Sequence, residues 1–327
     1  SGDSLVVSNG HIYGFLNDGT ATIDGETKLY ALTRVTRVNG NIVYSQAINN
    51  TKTLTMNGGS GYTNLNTSLV LNSGTFNANG SEITSDNNVI TGFYGTVNVN
   101  GATLHSKNKN AIYNTTINIT DGLVYSDTVE AIDTSNRKLT MSGGIVRSTT
   151  IGIKGNNAEI KGGLVEAPIG IKTTNVTMSG GKVLGTTDGI VVDNLTMSGG
   201  EVESTEGVGI TVNEKGTITT QNFVGALKKL GVDCVISEEE IITSETPVLI
   251  GELFGLYING DTTNFYDGIL KGITDGYYGD INGTPLGGVV VEGEETIDEK
   301  LYQTDFIARF NNWLRIGDQE YNSLNAA

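Results

Sequence analysis

The sequence predicts an all-β protein: a right-handed, single-stranded parallel β-helix with three strands per coil, about 18–22 residues per coil, capping β-hairpins and one short helix. Three observations support this fold class. Glycines recur at a nearly constant interval, apolar residues alternate with a period of two, and the same apolar positions return in successive repeats. A repeat of about 20 residues is typical of solenoids, in which each repeat buries its apolar face against the next.

The glycine interval is clearest in the phrase "TMSGG", which occurs three times, starting at Thr140, Thr177 and Thr196. Six recurring glycines, which we call the glycine marks, are separated from one another by 21, 22, 19, 18 and 19 residues. Glycine permits bends that other residues resist, so each mark is expected to turn the chain between two sides of a coil. The marks are Gly101, Gly122, Gly144, Gly163, Gly181 and Gly200.

Each repeat contains three strand-like pieces with one apolar face, as period-two alternation indicates. The first piece supplies two apolar columns, and the second and third supply one each. The first-piece columns are Val97, Ile117, Leu139, Ala158, Val176, Leu195 and Val99, Ile119, Met141, Ile160, Met178, Met197. The later columns are Leu104, Val124, Val146, Val165, Val183, Val202 and Ile112, Ile132, Ile153, Ile171, Ile190, Ile210.

Coil length distinguishes the hand of the helix. A left-handed helix of hexapeptides requires a strict six-residue phrase, whereas these repeats vary by several residues, which favours the right-handed form. Over 96–214 the pattern resembles the pectate-lyase-like right-handed β-helix superfamily, with weaker coils at 52–80 and 263–283. As a bacterial surface or adhesin-like member, the chain is expected to be extracellular or at the cell surface.

The ends and one insertion depart from the repeat. The stretches 21–35 and 295–309 share "TID" followed by "KLY", and each is interpreted as a hairpin that covers an open end of the helix. Apolar residues at helical spacing predict a lateral helix in the insertion. The predicted segments are a cap or hairpin region at 1–50, coils at 51–220, the helix at 221–240, further coils at 241–283 and a second cap or hairpin region at 284–327.

Composition limits the partners. The chain has 20 Lys and Arg against 36 Asp and Glu, a net charge of −16, and no basic patch, so nucleic acids and anionic lipid surfaces are not expected partners. No apolar run is long enough for a membrane span. An extracellular glycan or a cell-surface component is the expected partner, with the chain either monomeric or one part of a longer tandem array.

Outward positions carry the binding candidates. In each repeat, the residue that directly follows the apolar residue of the second piece is expected to face outward. In chain order these residues are His105, Tyr125, Arg147, Glu166, Leu184 and Glu203. Aromatic and polar side chains stacked on one sheet face are typical of sugar binding, so His105, Tyr125, Arg147, Glu166 and Glu203 are predicted ligand contacts. The alternative is a solvated face on which Arg147 pairs with Glu166 across two strands.

Catalytic candidates follow from the resemblance, because lyases of that superfamily place Arg or Lys beside acidic calcium ligands and its hydrolases cluster Asp residues. The densest charged ladder here is Asp133, Lys154 and Lys172, with Arg147 as a further candidate. The hydrolase phrases "NTD", "DD" and "GHG" are absent from the sequence. No cofactor or metal site is predicted, although the oxygen-rich stretches 85–88 and 259–264 could hold calcium.

The leading expectation is therefore a non-catalytic, exported bacterial β-helix module, adhesin-like or stalk-like, that contacts glycans through Tyr125 and Arg147. The alternative is a polysaccharide lyase or glycoside hydrolase that acts on an extracellular polysaccharide. The scaffold hosts both kinds of protein, so only its outward residues can distinguish them.

Overall fold

In a computed structural model of the chain, the right-handed parallel β-helix is confirmed. The chain forms two compact units, Ser1–Thr173 and Thr174–Ala327. Within the described residues there is no helix, and every coil strand pairs in parallel with a strand of a neighbouring coil. The structure describes residues 4–31, 36–38, 41–43, 46–63, 67–218, 247–260, 262–265, 268–282, 289–292, 314–316 and 319–321.

The first unit stacks its strands in three parallel columns, which we call the first, second and third strands of each coil. The first strands are Ser4–Ser8, Thr20–Asp24, Thr53–Met56, Thr75–Asn79, Thr96–Asn100, Thr116–Ile119 and the start of Lys138–Ser148. The second strands are His11–Tyr13, Lys28–Tyr30, Ser60–Thr63, Glu82–Ser85, Ala102–Ser106, Gly122–Ser126 and the end of Lys138–Ser148. The third strands are Phe15–Asn17, Ile48–Asn50, Val70–Asn72, Ile90–Gly92, Ile112–Tyr113 and Ile132–Asp133.

The second unit repeats the same arrangement after the long extended run Ile151–Ser204, which contributes to both units. Glu201 to Glu203 pair with Val248 to Ile250, and that strand pairs with the one beginning at Ile269. The described parallel strands of this unit that follow the run are Val208–Ile218, Val248–Gly251, Phe254–Ile258, Thr262–Phe265, Ile269–Gly272, Asp275–Tyr278, Ile281–Asn282 and Val289–Glu292.

The predicted apolar columns form the core. Every residue of the four columns is buried, and the register aligns them: Val97 with Ile117, Leu104 with Val124, Ile112 with Ile132. Burial of one such side chain contributes about 1.5–3 kcal/mol, and the columns repeat this gain in each coil. In the "TMSGG" phrases the methionines are buried and the threonines face outward, as predicted.

The predicted glycine marks adopt backbone angles that suit glycine. All six have positive φ, between 76° and 105°. At Gly163 a Cβ would lie 2.7 Å from the carbonyl oxygens of Gly143 and Gly144. A larger residue there would be strained and would also meet the backbone of the preceding coil.

Two polar ladders close other corners of the coil. At the end of the third strands, the buried amides of Asn17, Asn50 and Asn72 form a chain in which each Nδ2 donates to the next Oδ1 at 2.7 Å. At the end of the second strands, Ser106 Oγ donates to the carbonyl of Asn87 at 2.7 Å, and equivalent serines recur in neighbouring coils. The buried amides and hydroxyls of these two ladders are thus hydrogen-bonded.

The prediction of a hairpin at 21–35 is wrong for the part that the structure describes. Thr20–Asp24 pairs in parallel with Ser4–Ser8 and Thr53–Met56, and Lys28–Tyr30 with His11–Tyr13 and Ser60–Thr63. Gly25, with φ of 62°, turns the chain to the next side of the coil and does not reverse it.

Short antiparallel pairs do occur elsewhere in the two predicted terminal regions. Thr36–Val38 pairs with Asn41–Val43, and Leu314–Ile316 with Gln319–Tyr321. The predicted helix at 221–240 and the predicted hairpin at 295–309 lie outside the described residues. The boundaries of the five predicted segments stay a prediction. No described segment is a helix with the length and apolar character needed to cross a membrane.

Candidate functional site

The outward face of the second strands in the first unit carries a continuous row of side chains, which we call the aromatic stripe. Parallel pairing in register places one member on each successive coil. Its eight members span seven inter-strand steps of about 4.8 Å, or about 34 Å. In chain order the stripe consists of Tyr13, Tyr30, Tyr62, Thr84, His105, Tyr125, Arg147 and Glu166.

The centre of the stripe is the predicted pair His105 and Tyr125. Their rings are stacked, with centroids 3.9 Å apart and planes 9° apart. His105 Nε2 lies 2.8 Å from Asp127 Oδ2, so the imidazole is held at both its face and its edge. Burial raises the pKa of Tyr125, and the charges of Asp127 and Glu82 raise it further, so its hydroxyl stays a donor at neutral pH.

A second cluster surrounds Tyr62. The Lys107 ammonium lies 4.9 Å from the ring centroid and 3.0 Å from Asp86 Oδ1, and the Tyr62 hydroxyl donates to the same carboxylate at 3.3 Å. The hydrogen bond to Asp86 raises the pKa of Lys107. The stripe therefore combines ring surface with fixed charges of both signs.

At the start of the stripe, Tyr13 and Tyr30 stack with centroids 4.9 Å apart and planes 12° apart, and the His11 ring packs nearly perpendicular to both. Sequence reasoning missed these residues and Tyr62. The signal was the repeated pattern "HIY" and "KLY", in which tyrosine follows a buried residue on the outward side. The longer spacing of 32 residues from Tyr30 to Tyr62 concealed the register.

At the other end of the stripe, the predicted pairing of Arg147 and Glu166 is confirmed. Arg147 Nε lies 2.8 Å from Glu166 Oε2, and both side chains are about half exposed. An ion pair with this exposure contributes at most about 1 kcal/mol to stability. The guanidinium keeps other N–H groups for a ligand, because Nε makes the hydrogen bond to Glu166.

Glu203, the remaining predicted contact, belongs to the second unit. There Lys182 Nζ lies 2.7 Å from Glu201 Oε1 and 3.4 Å from Glu203 Oε2. Burial would lower the pKa of Lys182, but the two carboxylates outweigh it and the pKa is raised. This cluster is a charged patch of its own unit.

The four catalytic candidates are divided between faces. Asp133 and Lys154 are in register on the third-strand face, whereas Arg147 lies on the second-strand face among the stripe residues. Lys172 is exposed. The structure therefore does not bring Arg147 to Asp133 and Lys154.

The Lys154 ammonium is held by carboxylates: it lies 2.9 Å from Glu130 Oε1 and 3.9 Å from Asp133 Oδ2. The hydrogen bond to Glu130 raises the pKa of Lys154. Burial would raise the pKa of Glu130, but its hydrogen bonds with Lys154 and with the backbone outweigh burial and lower it. A lysine that acts as a base needs the opposite shift, so Lys154 is poorly suited to proton abstraction.

The oxygen-rich stretch 85–88 forms a turn in which Ser85 Oγ accepts the backbone N–H of Asn87 at 3.0 Å. Among the described residues, no group of three or more His, Cys, Asp or Glu side chains could hold a metal ion. In comparisons with protein-family models, curated proteins and solved structures, nothing matched the chain.

Proposed function

We propose that this protein is a non-catalytic, exported bacterial surface module, adhesin-like or stalk-like and related to the pectate-lyase-like superfamily, which binds an extracellular glycan along the aromatic stripe. The observation that carries the proposal is the continuity of the stripe. On seven of the eight successive second strands the outward position carries an aromatic or charged side chain, with Thr84 as the exception, although packing of the core does not require one there.

The stripe suits an extended ligand because paired β-strands hold the protein backbone that carries the stripe residues in place. Each stripe residue lies in a strand paired on both sides or at the end of such a series, so the side chains are presented without a large ordering cost on binding. Stripe residues are about 4.8 Å apart along the unit, and a linear chain of sugars laid over the row would meet a new side chain at each step.

The stacking decides which ring atoms a glycan would meet. Since His105 and Tyr125 each cover one face of the other ring, a ligand laid over the pair would contact ring edges and the Tyr125 hydroxyl. Asp127 and Arg147 would add charged hydrogen-bond partners for sugar hydroxyls, and such bonds are stronger than neutral ones. Hydrogen bonding would thus contribute more than ring stacking at this point of the stripe.

The alternative of a polysaccharide lyase or hydrolase has less support. Its candidates Arg147 and Lys154 lie on different faces, and the pKa of Lys154 is raised. The alternative still makes a distinct prediction, because turnover produces unsaturated products or new reducing ends, whereas a binding module produces neither.

The test is binding to a panel of neutral and uronate-containing polysaccharides, measured with the wild type, Tyr125→Ala and Arg147→Ala. Tyr94→Ala is the matched control, since Tyr94 is an 80 % exposed tyrosine outside the stripe. We expect the stripe variants to weaken binding by about tenfold or more, equivalent to about 1.4 kcal/mol, and the control to bind as the wild type.

Equal binding by all variants, or binding to no member of the panel, would overturn the proposal. The same incubations are analysed for products. Turnover that disappears in Arg147→Ala or Lys154→Ala would establish the enzymatic alternative in its place.

A further inference from the structure

The third-strand face of the first unit contains an open groove of about 500 Å³ that lies apart from the aromatic stripe. Its size falls within the range of small-ligand sites. The lining combines apolar and aromatic side chains with amides, hydroxyls and one lysine. The lining includes Gln46, Leu71, Asn88, Phe93, Lys109 and Tyr113.

The groove has an aromatic and apolar floor. Leu71 and Tyr113 are outward residues of third strands, and Phe93 directly follows the third strand Ile90–Gly92. Phe93 is 50 % exposed, which is unusual for phenylalanine. An exposed ring in a concave site offers apolar surface that a ligand could cover.

The polar lining is held in place by hydrogen bonds. Asn88 Nδ2 donates to Thr91 Oγ1 at 3.0 Å, and Asn88 Oδ1 accepts the backbone N–H of Asn110 at 3.1 Å. The Asn110 amide in turn donates to the carbonyl of Glu130 at 2.8 Å. These groups are therefore oriented before any ligand arrives.

One polar atom of the lining lacks a partner. Gln46 Oε1 is buried, and no hydrogen-bond donor reaches it from the residues that the structure describes. A buried acceptor without a donor is unfavourable, so a turn of the Gln46 side chain that let Oε1 accept a ligand N–H or O–H in the groove would be stabilised. A hydroxyl-rich ligand meets that need.

The charge of the groove differs from that of the chain. Although the net charge is −16, no carboxylate is among the described lining residues, and Lys109 is the one charged group. Recognition of a carboxylate or phosphate usually uses a bidentate Arg or several cations, and the groove has neither. Neutral amides and hydroxyls both donate and accept, which matches sugar hydroxyls.

From these features we propose that the groove binds a neutral saccharide, with the C–H face of a sugar ring against Phe93 and Tyr113 and a hydroxyl donating to Gln46 Oε1. The inference rests on the proposed function in taking a glycan as the ligand, and it assigns that glycan a second site. Stripe and groove variants therefore separate the two proposals.

The test measures binding of neutral oligosaccharides of glucose, galactose and mannose, and of uronate oligosaccharides of the same length, by calorimetry on the whole chain. Phe93→Ala removes an exposed aromatic ring from the groove lining. Tyr94→Ala is its control, because Tyr94 is the next residue in the chain and is also exposed but does not line the groove. Gln46→Leu removes the unpaired acceptor at similar volume. Its unfolding temperature should equal or exceed that of the wild type, so a loss of binding would not reflect misfolding.

We expect a neutral oligosaccharide to bind in the groove, and its affinity for this site should be about tenfold weaker or more in Phe93→Ala and Gln46→Leu and unchanged in Tyr94→Ala. Tyr125→Ala should weaken only binding to the stripe and leave the groove site unchanged. Neutral-sugar binding that is lost in Tyr125→Ala and kept in Phe93→Ala would overturn the groove site while leaving the proposed function intact. Preference for uronates in the groove would overturn the neutral class. Absence of binding by any saccharide at millimolar concentration would overturn both proposals.

Discussion

The rings of His105 and Tyr125 lie parallel on adjacent coils, 3.9 Å apart at their centroids, although neither is part of the core. Aromatic pairs of this kind contribute about 0.5–1.5 kcal/mol beyond the area they bury. We therefore expect a double-mutant cycle of His105→Ala and Tyr125→Ala to give a coupling free energy of about 0.5–1 kcal/mol in urea unfolding. Additive effects would show that the stacking does not stabilise the coil.

The buried amide of Asn50 is expected to be among the most sensitive polar positions of the first unit. It accepts from Asn17 and donates to Asn72 Oδ1 at 2.7 Å and to the carbonyl of Thr75 at 2.9 Å. Asn50→Ala would leave several buried groups unpaired and should lower the free energy of unfolding by about 2–4 kcal/mol. Asn49→Ala is the control, since Asn49 faces outward in the same strand. Similar losses in the two variants would contradict the ladder's role.

Backbone geometry at two turn glycines, the glycine mark Gly163 and the upstream Gly80, predicts a graded loss of stability. Gly163→Ala combines a positive φ of 87° with contacts of 2.7 Å to two carbonyl oxygens, and should cost about 2–4 kcal/mol. Gly80→Ala has a φ of 66° but meets no atom within 4 Å, so it should cost only about 1–2 kcal/mol. Chemical denaturation measures both, and a larger loss at Gly80 would refute the close-contact explanation.

The lowered pKa of Glu159 predicts that the free energy of unfolding depends on pH. Hydrogen bonds from Lys138 and then Lys161 lower its pKa from the ordinary value of 4.5 to about 2. Because the folded state keeps the carboxylate charged at lower pH than the unfolded chain does, the contribution is present above pH 4.5 and is lost as the pH falls through about 2. Both lysines are about half exposed, so the contribution should be below about 1 kcal/mol and reduced by salt.

The measurement compares the wild type with Glu159→Gln in urea at low ionic strength. The variant should be less stable near neutral pH and should equal the wild type near pH 2. A difference that persists unchanged to pH 2, or that grows in acid, would contradict the lowered pKa.

The repeated coils were predictable because their residues answer local and periodic constraints. Ile112, Ile132 and Ile153 recur at nearly one coil length, and a one-residue slip would turn them outward, so the sequence specifies both strand and register. The positive φ of the glycine marks follows from the same periodicity. Burial of the four columns therefore follows from the sequence alone.

The outward site was only partly predictable. His105, Tyr125, Arg147 and Glu166 were found because they follow a clear apolar column. Tyr13 and Tyr30 escaped notice because the coil that contains Lys28–Tyr30 is separated from the next by 32 residues, which interrupts the period. Longer insertions loop out without changing the pairing of the strands that flank them, since closing a longer loop costs little free energy.

By itself, the sequence determined the all-β repeat, the buried columns, the corner glycines and the central stripe residues, since each depends on neighbours one coil away at a constant spacing. Only the tertiary structure decided that the N-terminal strands Ser4–Ser8 and Thr20–Asp24 belong to the β-helix. It also decided that Arg147 and Lys154 lie on different faces, and that Gln46, Phe93 and Tyr113 line one groove. Those relationships depend on how much each turn rotates the chain and on pairing across irregular insertions, which no local periodicity encodes.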